Sequence, residues 1–228
     1  MKYIIGNWKM NGNMADKESL FRAIHRTKTN NNVIICLPFT LFCGKNYDIT
    51  IGAQDVSQYG NGAYTGDVSA QMLHDAGVKY VIVGHSERRL NHNENNNIVK
   101  TKSEQAIKNG ITPIICIGET MAEKRAGKTA AVIKKMLLES APKSGKYIIA
   151  YEPRWAIGSG KTPTKSEIKT AVKIIADTLP RKMPIVYGGS VNQDNARDIV
   201  SIPNVSGLLI GGASLKSETF IPIIQSIN

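Results

Sequence analysis

The sequence predicts an α/β protein that folds as a single (β/α)8 barrel over residues 1–228. Three observations lead to this prediction: eight short apolar runs rich in β-branched residues, segments of helical character between most of them, and no linker-like stretch that would divide the chain. None of the runs alternates strictly between apolar and polar residues, which is typical of parallel strands buried on both faces. An open doubly wound sheet is the alternative. The count of eight favours the closed barrel, as does the lack of a G-x-G-x-x-G turn after the first run.

The predicted strands are distributed over the whole length of the chain. A length of 228 residues is compact for such a barrel, since about 250 residues are typical. In order, the strands are "YIIGNW" from Tyr3, "VIICLP" from Val33, "ITIGAQ" from Ile49, "YVIVGH" from Tyr80, "PIICIGE" from Pro113, "YIIAYE" from Tyr147, "PIVYGG" from Pro184 and "GLLIGGAS" from Gly207.

Helical periodicity separates most of these runs. The segment "MADKESLFRAIHRTK" places Leu20, Phe21 and Ile24 at helical spacing, and "SEIKTAVKIIADTL" repeats the pattern between Ile168 and Leu179. The segments "NNNIVKTKSEQAIKNG" and "AVIKKMLLESAPKSG" end near glycines, as helices often do. The stretch after Pro38 is short and predicts a helix only weakly.

Composition narrows the class of protein. Hydrophobic residues make up 42% of the chain, but its longest uncharged apolar runs have about six residues, whereas a membrane-spanning helix needs roughly 20. The chain opens directly on a strand-like run, so we expect no signal peptide and a cytoplasmic protein. The three cysteines form no CxxC pair, and they indicate reduced thiols rather than a disulfide framework or a zinc site.

The formal net charge of +11 is compatible with nucleic acid, an anionic membrane surface or an anionic substrate as a partner. The lysines are scattered, no aromatic-rich basic motif is present, and the chain is also rich in Asn and Ile. A general bias of composition is therefore the simpler interpretation. We expect neither nucleic acid nor a membrane as a partner.

Polar or glycine-rich groups stand at the C-terminal end of nearly every predicted strand, which is where the active site of such a barrel lies. They are Asn7 and Lys9 after strand one, Gln54 and Asp55 after strand three, His85 after strand four, Glu152 after strand six, the "YGGS" turn at 187–190 after strand seven, and Gly211 and Gly212 after strand eight.

This set of groups limits the chemistry. No metal-ligand cluster is visible, since His85 and His92 are seven residues apart and the other two histidines fall in helix-like segments. A desolvated carboxylate can take a proton from carbon, while an imidazole and an ammonium group can stabilise the resulting oxyanion. Glycine turns expose backbone N–H groups that suit a phosphate. The set predicts proton abstraction next to the carbonyl of a small phosphorylated substrate.

Each of these residues also has an ordinary interpretation. Lys9 could be a solvated charge, His85 a helix cap and Glu152 a turn residue. Glycine pairs are common in turns, and Cys116 is expected in the core. A site is favoured because the groups occur in one order on successive strand ends.

Five motifs carry a closer likeness. They are "GNWKMNG" at 6–12, "GHSERR" at 84–89, "AYEPRWAIGSGKTPT" at 150–164, "YGGSV" at 187–191 and "LIGGASL" at 209–215. In these motifs, which span almost the whole chain in the same order, the sequence closely resembles the triosephosphate isomerase family. "QDVSQYGNGAYTGDVS" at 54–69 and "CIGET" at 116–120 add to the resemblance.

The resemblance implies a (β/α)8 TIM barrel and a role for each matching residue. Glu152 would be the base that moves a proton between two substrate carbons, His85 the neutral electrophile, and Lys9 a fixed positive charge. The implied substrate-binding residues are Asn7, Lys9, Gly158, Ser190, Gly211 and Gly212, with Glu87 and Cys116 supporting the site from behind. Asn7 would contact the substrate oxygens, and the others after Lys9 would bind phosphate through backbone N–H groups. No cofactor and no metal ion is implied.

The implied activity is interconversion of dihydroxyacetone phosphate and D-glyceraldehyde 3-phosphate through an enediolate, in glycolysis and gluconeogenesis. Residues 153–163 would be a lid that closes over the phosphate, and loop 57–68 would form a homodimer by placing Thr65 beside the partner's site. Arg154, at the lid hinge, stands where this family commonly has an aliphatic residue, and Asp67 where a Glu is usual. A basic nucleic-acid-binding protein and another barrel enzyme acting on a phosphorylated sugar are the alternatives.

Overall fold

The computed structural model describes residues 1–157 and 162–227. Eight parallel strands form a closed barrel in which each strand pairs with its neighbours in sequence, and the first strand pairs with the last. The prediction of a (β/α)8 barrel is therefore confirmed. The strands are β1 (Tyr3–Asn7), β2 (Asn32–Leu37), β3 (Thr50–Ala53), β4 (Tyr80–Val83), β5 (Thr112–Ile117), β6 (Ile148–Tyr151), β7 (Ile185–Gly188) and β8 (Val205–Ile210).

Six of the described helices on the outside of the barrel begin at a side chain that caps them. Asn13 and Asp16 form a capping box at the start of the helix Met14–Arg26, and Thr164 with Glu167 does so at the start of the helix Lys165–Thr178. The helices are α1 (Met14–Arg26), α2 (Ala70–Asp75), α3 (Ser86–Asn91), α4 (Asn96–Lys108), α5 (Met121–Arg125), α6 (Thr129–Ser140), α7 (Lys165–Thr178), α8 (Ala196–Val200) and α9 (Ser217–Ser226).

Two apolar layers explain why the strand sequences do not alternate. One layer, which fills the barrel, takes buried residues from seven of the strands, including Ile5, Ile82 and Leu209. The other packs strand residues such as Ile4 and Val81 against the helices. Because successive side chains of a strand point to opposite faces, each strand needs apolar residues at consecutive positions.

The barrel closes where β1 lies beside β8. Tyr3 aligns with Gly207 in this pairing, and a Cβ atom at position 207 would lie 2.0 Å from the carbonyl oxygen of Tyr3. Only glycine fits there without moving the two strands apart. The seam of the barrel thus depends on one residue without a side chain.

Two segments differ from their sequence-based expectation. The stretch after Pro38 forms only a single 3-10 turn, Phe39–Leu41. Helix α6 ends at Ser140, well before Gly145, because Ala141 precedes Pro142 and takes an extended conformation. Within the described parts of the chain, no helix is long and apolar enough to cross a membrane.

Candidate active site

The C-terminal ends of the strands surround a cavity of about 170 Å³. A larger cavity of about 640 Å³ adjoins it and shares Asn7, Lys9 and His85 with it. The smaller cavity is lined by seven of the residues that the sequence predicts for the site, together with Ile157. These seven are Asn7, Lys9, His85, Glu152, Ser190, Gly211 and Gly212.

Glu152 follows the last residue of β6 and is only 4% exposed. Its Oε1 lies 3.4 Å from Nε2 of His85, and its Oε2 is buried with no hydrogen-bond partner among the described residues. A buried carboxylate oxygen without a donor is costly, and it is available to accept a proton. The carboxyl and the imidazole thus face each other in an enclosed site.

Two glycines lie so close to Glu152 that a side chain at either position would clash with it. A Cβ atom at Gly188, the last residue of β7, would lie 2.7 Å from the Cγ of Glu152 and 2.9 Å from its Oε1. A Cβ atom at Gly118 would lie 1.9 Å from the carbonyl oxygen of Glu152. The glycines of "YGGS" and "CIGET" therefore fix the position of the carboxylate from two sides.

Lys9 has a positive φ of 53°, which is uncommon for a residue with a side chain. The carbonyl oxygen of the Asn7 side chain accepts a hydrogen bond from the Lys9 backbone N–H at 3.0 Å. The Lys9 Nζ lies 2.5 Å from Oε1 of Glu87. Strained conformations of this kind persist where surrounding contacts over-determine them, often at functional sites. Asn7 and Glu87 thus hold the ammonium group at the cavity.

His85 serves both interpretations that the sequence leaves open, because it caps α3 and also lines the cavity. Its Nδ1 accepts a hydrogen bond from the Glu87 backbone N–H at 3.2 Å. A ring nitrogen that accepts carries no proton, so the proton of a neutral imidazole lies on Nε2, the nitrogen that faces Glu152. The cap therefore orients the ring toward the cavity.

Both described ends of the predicted lid contact Ser190. The Ser190 hydroxyl donates to the carbonyl oxygen of Ala156 at 3.1 Å, and the Thr162 hydroxyl donates to the carbonyl oxygen of Ser190 at 3.4 Å. Gly158, which the resemblance places at the phosphate, lies outside the described residues. Ser190 therefore joins the "YGGS" turn to the segment that follows Glu152.

Cys116 lies in β5 behind Glu152 and is buried. Burial raises the pKa of its thiol well above the usual range, and the Glu152 carboxylate raises it further. Cys116 is therefore a neutral packing group. Arg89 joins the ends of two strands nearby, because its guanidinium donates to the carbonyl oxygens of Gly84 at 2.7 Å and of Cys116 at 3.2 Å.

A cluster of buried charges beside the site was not predicted. The Lys102 ammonium lies 2.6 Å from Asp55 and 2.6 Å from Glu94, and Arg88 contacts both carboxylates. Burial raises the pKa of Asp55, whereas for Glu94 the two cations outweigh burial and lower it. Lys102 lies on the buried face of α4 together with Val99. A lysine at a helical position where the periodicity predicts an apolar residue could therefore have indicated the buried cluster.

The start of the predicted lid also has a partner that the sequence analysis missed. Glu119, which is buried, accepts hydrogen bonds from the indole Nε1 of Trp155 at 3.0 Å and from the Tyr151 hydroxyl at 3.3 Å. Its carbonyl oxygen accepts from the Arg154 backbone N–H at 2.9 Å. The glutamate of "CIGET" therefore anchors the start of the predicted lid.

The assembled groups can perform acid–base chemistry on carbon. A buried carboxylate lies opposite an imidazole N–H, and an ammonium group lines the same cavity. Donors fixed in an enclosed site stabilise a developing oxyanion without reorganising. Within residues 1–157 and 162–227, no group of three or more His, Cys, Asp and Glu side chains is placed to hold a metal ion.

Comparisons with known proteins show the family of the chain and agree with its fold. The family model described as triosephosphate isomerase matches residues 2–227. Triosephosphate isomerase of Xanthobacter flavus is 42% identical over an alignment of 240 residues, covering 98% of this chain and 96% of that protein. The enzyme of that name from Mesomycoplasma hyorhinis is 41% identical, covering 97% and 96%. The crystal structure of triosephosphate isomerase from Bartonella henselae superposes with a TM-score of 0.87 at 35% identity, covering 99% of this chain and 98% of that one. The chain belongs to the triosephosphate isomerase family.

Proposed function

We propose that the protein interconverts dihydroxyacetone phosphate and D-glyceraldehyde 3-phosphate, which is the reaction that the name of its family describes. The observation that carries the proposal is the buried Glu152 carboxylate facing His85 across a cavity that Lys9 also lines. The substrate is a small anion, and the net charge of +11 favours its approach.

Each residue has a part in the proposed mechanism. Glu152 takes a proton from the carbon next to the substrate carbonyl, and the electron pair moves onto the carbonyl oxygen to form an enediolate. His85 donates its Nε2–H to that oxygen, and Lys9 stabilises the negative charge that develops. His85 then recovers a proton at Nε2 from the hydroxyl group of the neighbouring carbon, whose oxygen becomes the new carbonyl oxygen. Return of the proton from Glu152 to the former carbonyl carbon completes the isomerisation.

The phosphate end of the substrate is proposed to bind at the opposite side of the cavity. Ser190, Gly211 and Gly212 lie there, after β7 and β8, where barrels of this kind commonly bind phosphate. Their backbone N–H groups, with that of Gly158, would hold it. The lid segment would then exclude water from Glu152 and strengthen every electrostatic interaction in the site.

A coupled assay tests the reaction directly. D-glyceraldehyde 3-phosphate is supplied, and the ketose formed is reduced by an NADH-dependent dehydrogenase. The Glu152→Gln variant, purified identically, measures any contaminating isomerase from the host. Turnover by the parent that Glu152→Gln abolishes is expected, while equal rates in the two preparations would refute the assignment.

We also propose that the protein is a homodimer formed through loop 57–68. Hydrogen bonds connect the two ends of this loop. The Ser57 backbone N–H donates to the carbonyl oxygen of Val68 at 2.8 Å, and the Ser57 hydroxyl donates to the Asp67 carboxylate at 2.5 Å. Its exposed Tyr59 and Tyr64 rings stack with their centroids 4.1 Å apart. The 640 Å³ cavity beside Lys9, with exposed Met10 and Phe39 in its wall, offers a place for the partner's loop.

Light scattering at micromolar concentration tests the dimer. The parent is expected to have twice the mass of one chain, and Tyr64→Lys is expected to shift it toward the monomer, because a charge would replace an apolar ring in the interface. Leu138→Lys, which changes an exposed apolar residue of α6, serves as the control. A fully active monomeric parent would contradict the proposal.

The remaining proposals concern the domain organisation of the enzyme, its cellular compartment and its pathway. We propose that the whole chain is one catalytic domain, since the pairing of β1 with β8 ties its two ends into one barrel. We propose that it acts in the cytoplasm, in glycolysis and gluconeogenesis. The free thiols of Cys36, Cys43 and Cys116 are typical of a reducing compartment.

A further inference from the structure

The side chain of Lys124 contacts residues at both ends of the lid segment. Its Nζ lies 3.6 Å from the centroid of the Trp155 ring, near the start of the predicted lid. The same atom lies 2.7 Å from Oε1 of Glu167, in the first turn of the helix that follows the predicted lid. One ammonium group therefore connects the two ends of this segment.

At the first end, the Trp155 indole is held on its edge and on its face. Its Nε1–H donates to the buried Glu119 carboxylate at 3.0 Å, and the Lys124 ammonium covers the ring. A cation over an indole is attracted by the negative face of the ring, and tryptophan is the best partner for it. The orientation of the hinge therefore depends on a charge as well as on packing.

At the second end, the two oxygens of the Glu167 carboxylate have different partners. Its Oε2 accepts from the Thr164 backbone N–H at 2.7 Å and thereby caps α7 directly after Pro163, while its Oε1 receives Lys124. The hydrogen bond from Lys124 lowers the pKa of the Glu167 carboxyl, and the backbone N–H of Thr164 lowers it further. The cap and the contact with Lys124 therefore reinforce each other.

Lys124 itself belongs to neither end of the lid. It lies in α5, whose start is fixed by a capping box between Thr120 and Glu123. The ammonium group therefore belongs to a separate helix at the rim of the barrel. Trp155 and Glu167 both contact this one group.

We propose that Lys124 is a positioning residue for isomerisation, which holds both ends of the lid segment in the conformation in which Ala156 meets Ser190 and Glu152 faces His85. The inference rests on the proposed function, because it assigns Lys124 a part in the same reaction. Lys124 acts through Trp155 and Glu167 and is not among the described residues that line the cavity. Its charge, and not only its aliphatic stem, is required.

Three variants separate charge from bulk. Lys124→Met keeps the stem and removes the charge, Lys124→Arg keeps a cation that can stack on indole and pair with a carboxylate, and Arg125→Met removes the neighbouring exposed cation of α5. We expect kcat/KM to fall about fivefold to tenfold in Lys124→Met, from the combined loss of a cation–π contact and an ion pair. Lys124→Arg and Arg125→Met should remain close to the parent.

A second readout reports on the lid and not on general stability. An enediolate that is not held with its phosphate in plane loses inorganic phosphate and yields methylglyoxal. We expect the fraction of turnovers that release phosphate to rise in Lys124→Met and to return to the parent value in Lys124→Arg. An effect on stability alone would lower the melting temperature and leave this fraction unchanged, which would count against the proposal.

A third readout needs no substrate. Trp8 is 1% exposed, so acrylamide quenching of fluorescence is dominated by Trp155. Quenching should increase in Lys124→Met and stay unchanged in Arg125→Met. If Lys124→Met matches Arg125→Met in rate, phosphate release and quenching while the parent isomerises normally, the positioning role is overturned. A parent protein without isomerase activity would instead overturn the proposed function, and with it the catalytic part of this inference, whatever the quenching shows.

Discussion

Glu152→Asp is expected to lower kcat about 10²-fold and to change KM little, because it retracts the carboxylate by one methylene group from a position fixed by its neighbours. Gly188 and Gly118 leave space for a glutamate in this position and offer no alternative support for a shorter side chain. The contacts to substrate that are proposed for Lys9 and for the phosphate site would be unaffected, which is why binding should be preserved.

Steady-state kinetics in the coupled assay provide the measurement. Glu104→Asp, on an exposed position of α4, makes the same chemical change away from the cavity and is expected to leave kcat unchanged. Normal turnover by Glu152→Asp would show that Glu152 is not the base.

Lys102→Met should destabilise the fold by about 3–5 kcal/mol, because it leaves the Asp55 and Glu94 carboxylates buried together without the cation that lies 2.6 Å from each. Arg88 remains and is half-exposed. Each carboxyl pKa is then expected to rise, so protonation relieves the repulsion. The difference in free energy of unfolding between parent and variant should therefore be larger at neutral pH than at mildly acidic pH.

Urea denaturation at the two pH values measures this difference. Lys173→Met removes one partner of an exposed ion pair with Asp177 and should cost no more than about 1 kcal/mol at either pH. If Lys102→Met cost as little as Lys173→Met, the buried cluster would contribute nothing to stability.

The strands could be predicted from the sequence because their signal is local. A strand such as Tyr80–Val83 is covered on both faces in any parallel barrel, so its residues must be apolar. This pattern can be seen in the sequence without knowing which strands pair with it. Helices α1 and α7 were equally visible, since their apolar residues recur at helical spacing and capping residues precede them. The turn at Phe39–Leu41 carries no such periodicity.

The candidate site could be predicted because the carboxyl ends of all eight strands meet at one rim. Asn7 is the last residue of its strand, and His85 and Glu152 come just after theirs, so topology alone brings them together. The contacts of Lys124 could not be predicted in this way. They join a short helix to a hinge and to a helix cap, and nothing in the sequence indicates that these three elements are neighbours.

The seam at Gly207 has a consequence for how the chain is made. Because the second edge of β1 pairs with β8, the barrel cannot close until the chain up to Ile210 has left the ribosome. Contacts between residues so distant in sequence form slowly, since the intervening chain must be ordered first. Until then the outer edge of β1 offers unpaired backbone groups to any other nascent chain. The yield of active protein in a cell is therefore expected to depend on the speed of translation and on temperature, and not on the stability of the finished barrel alone.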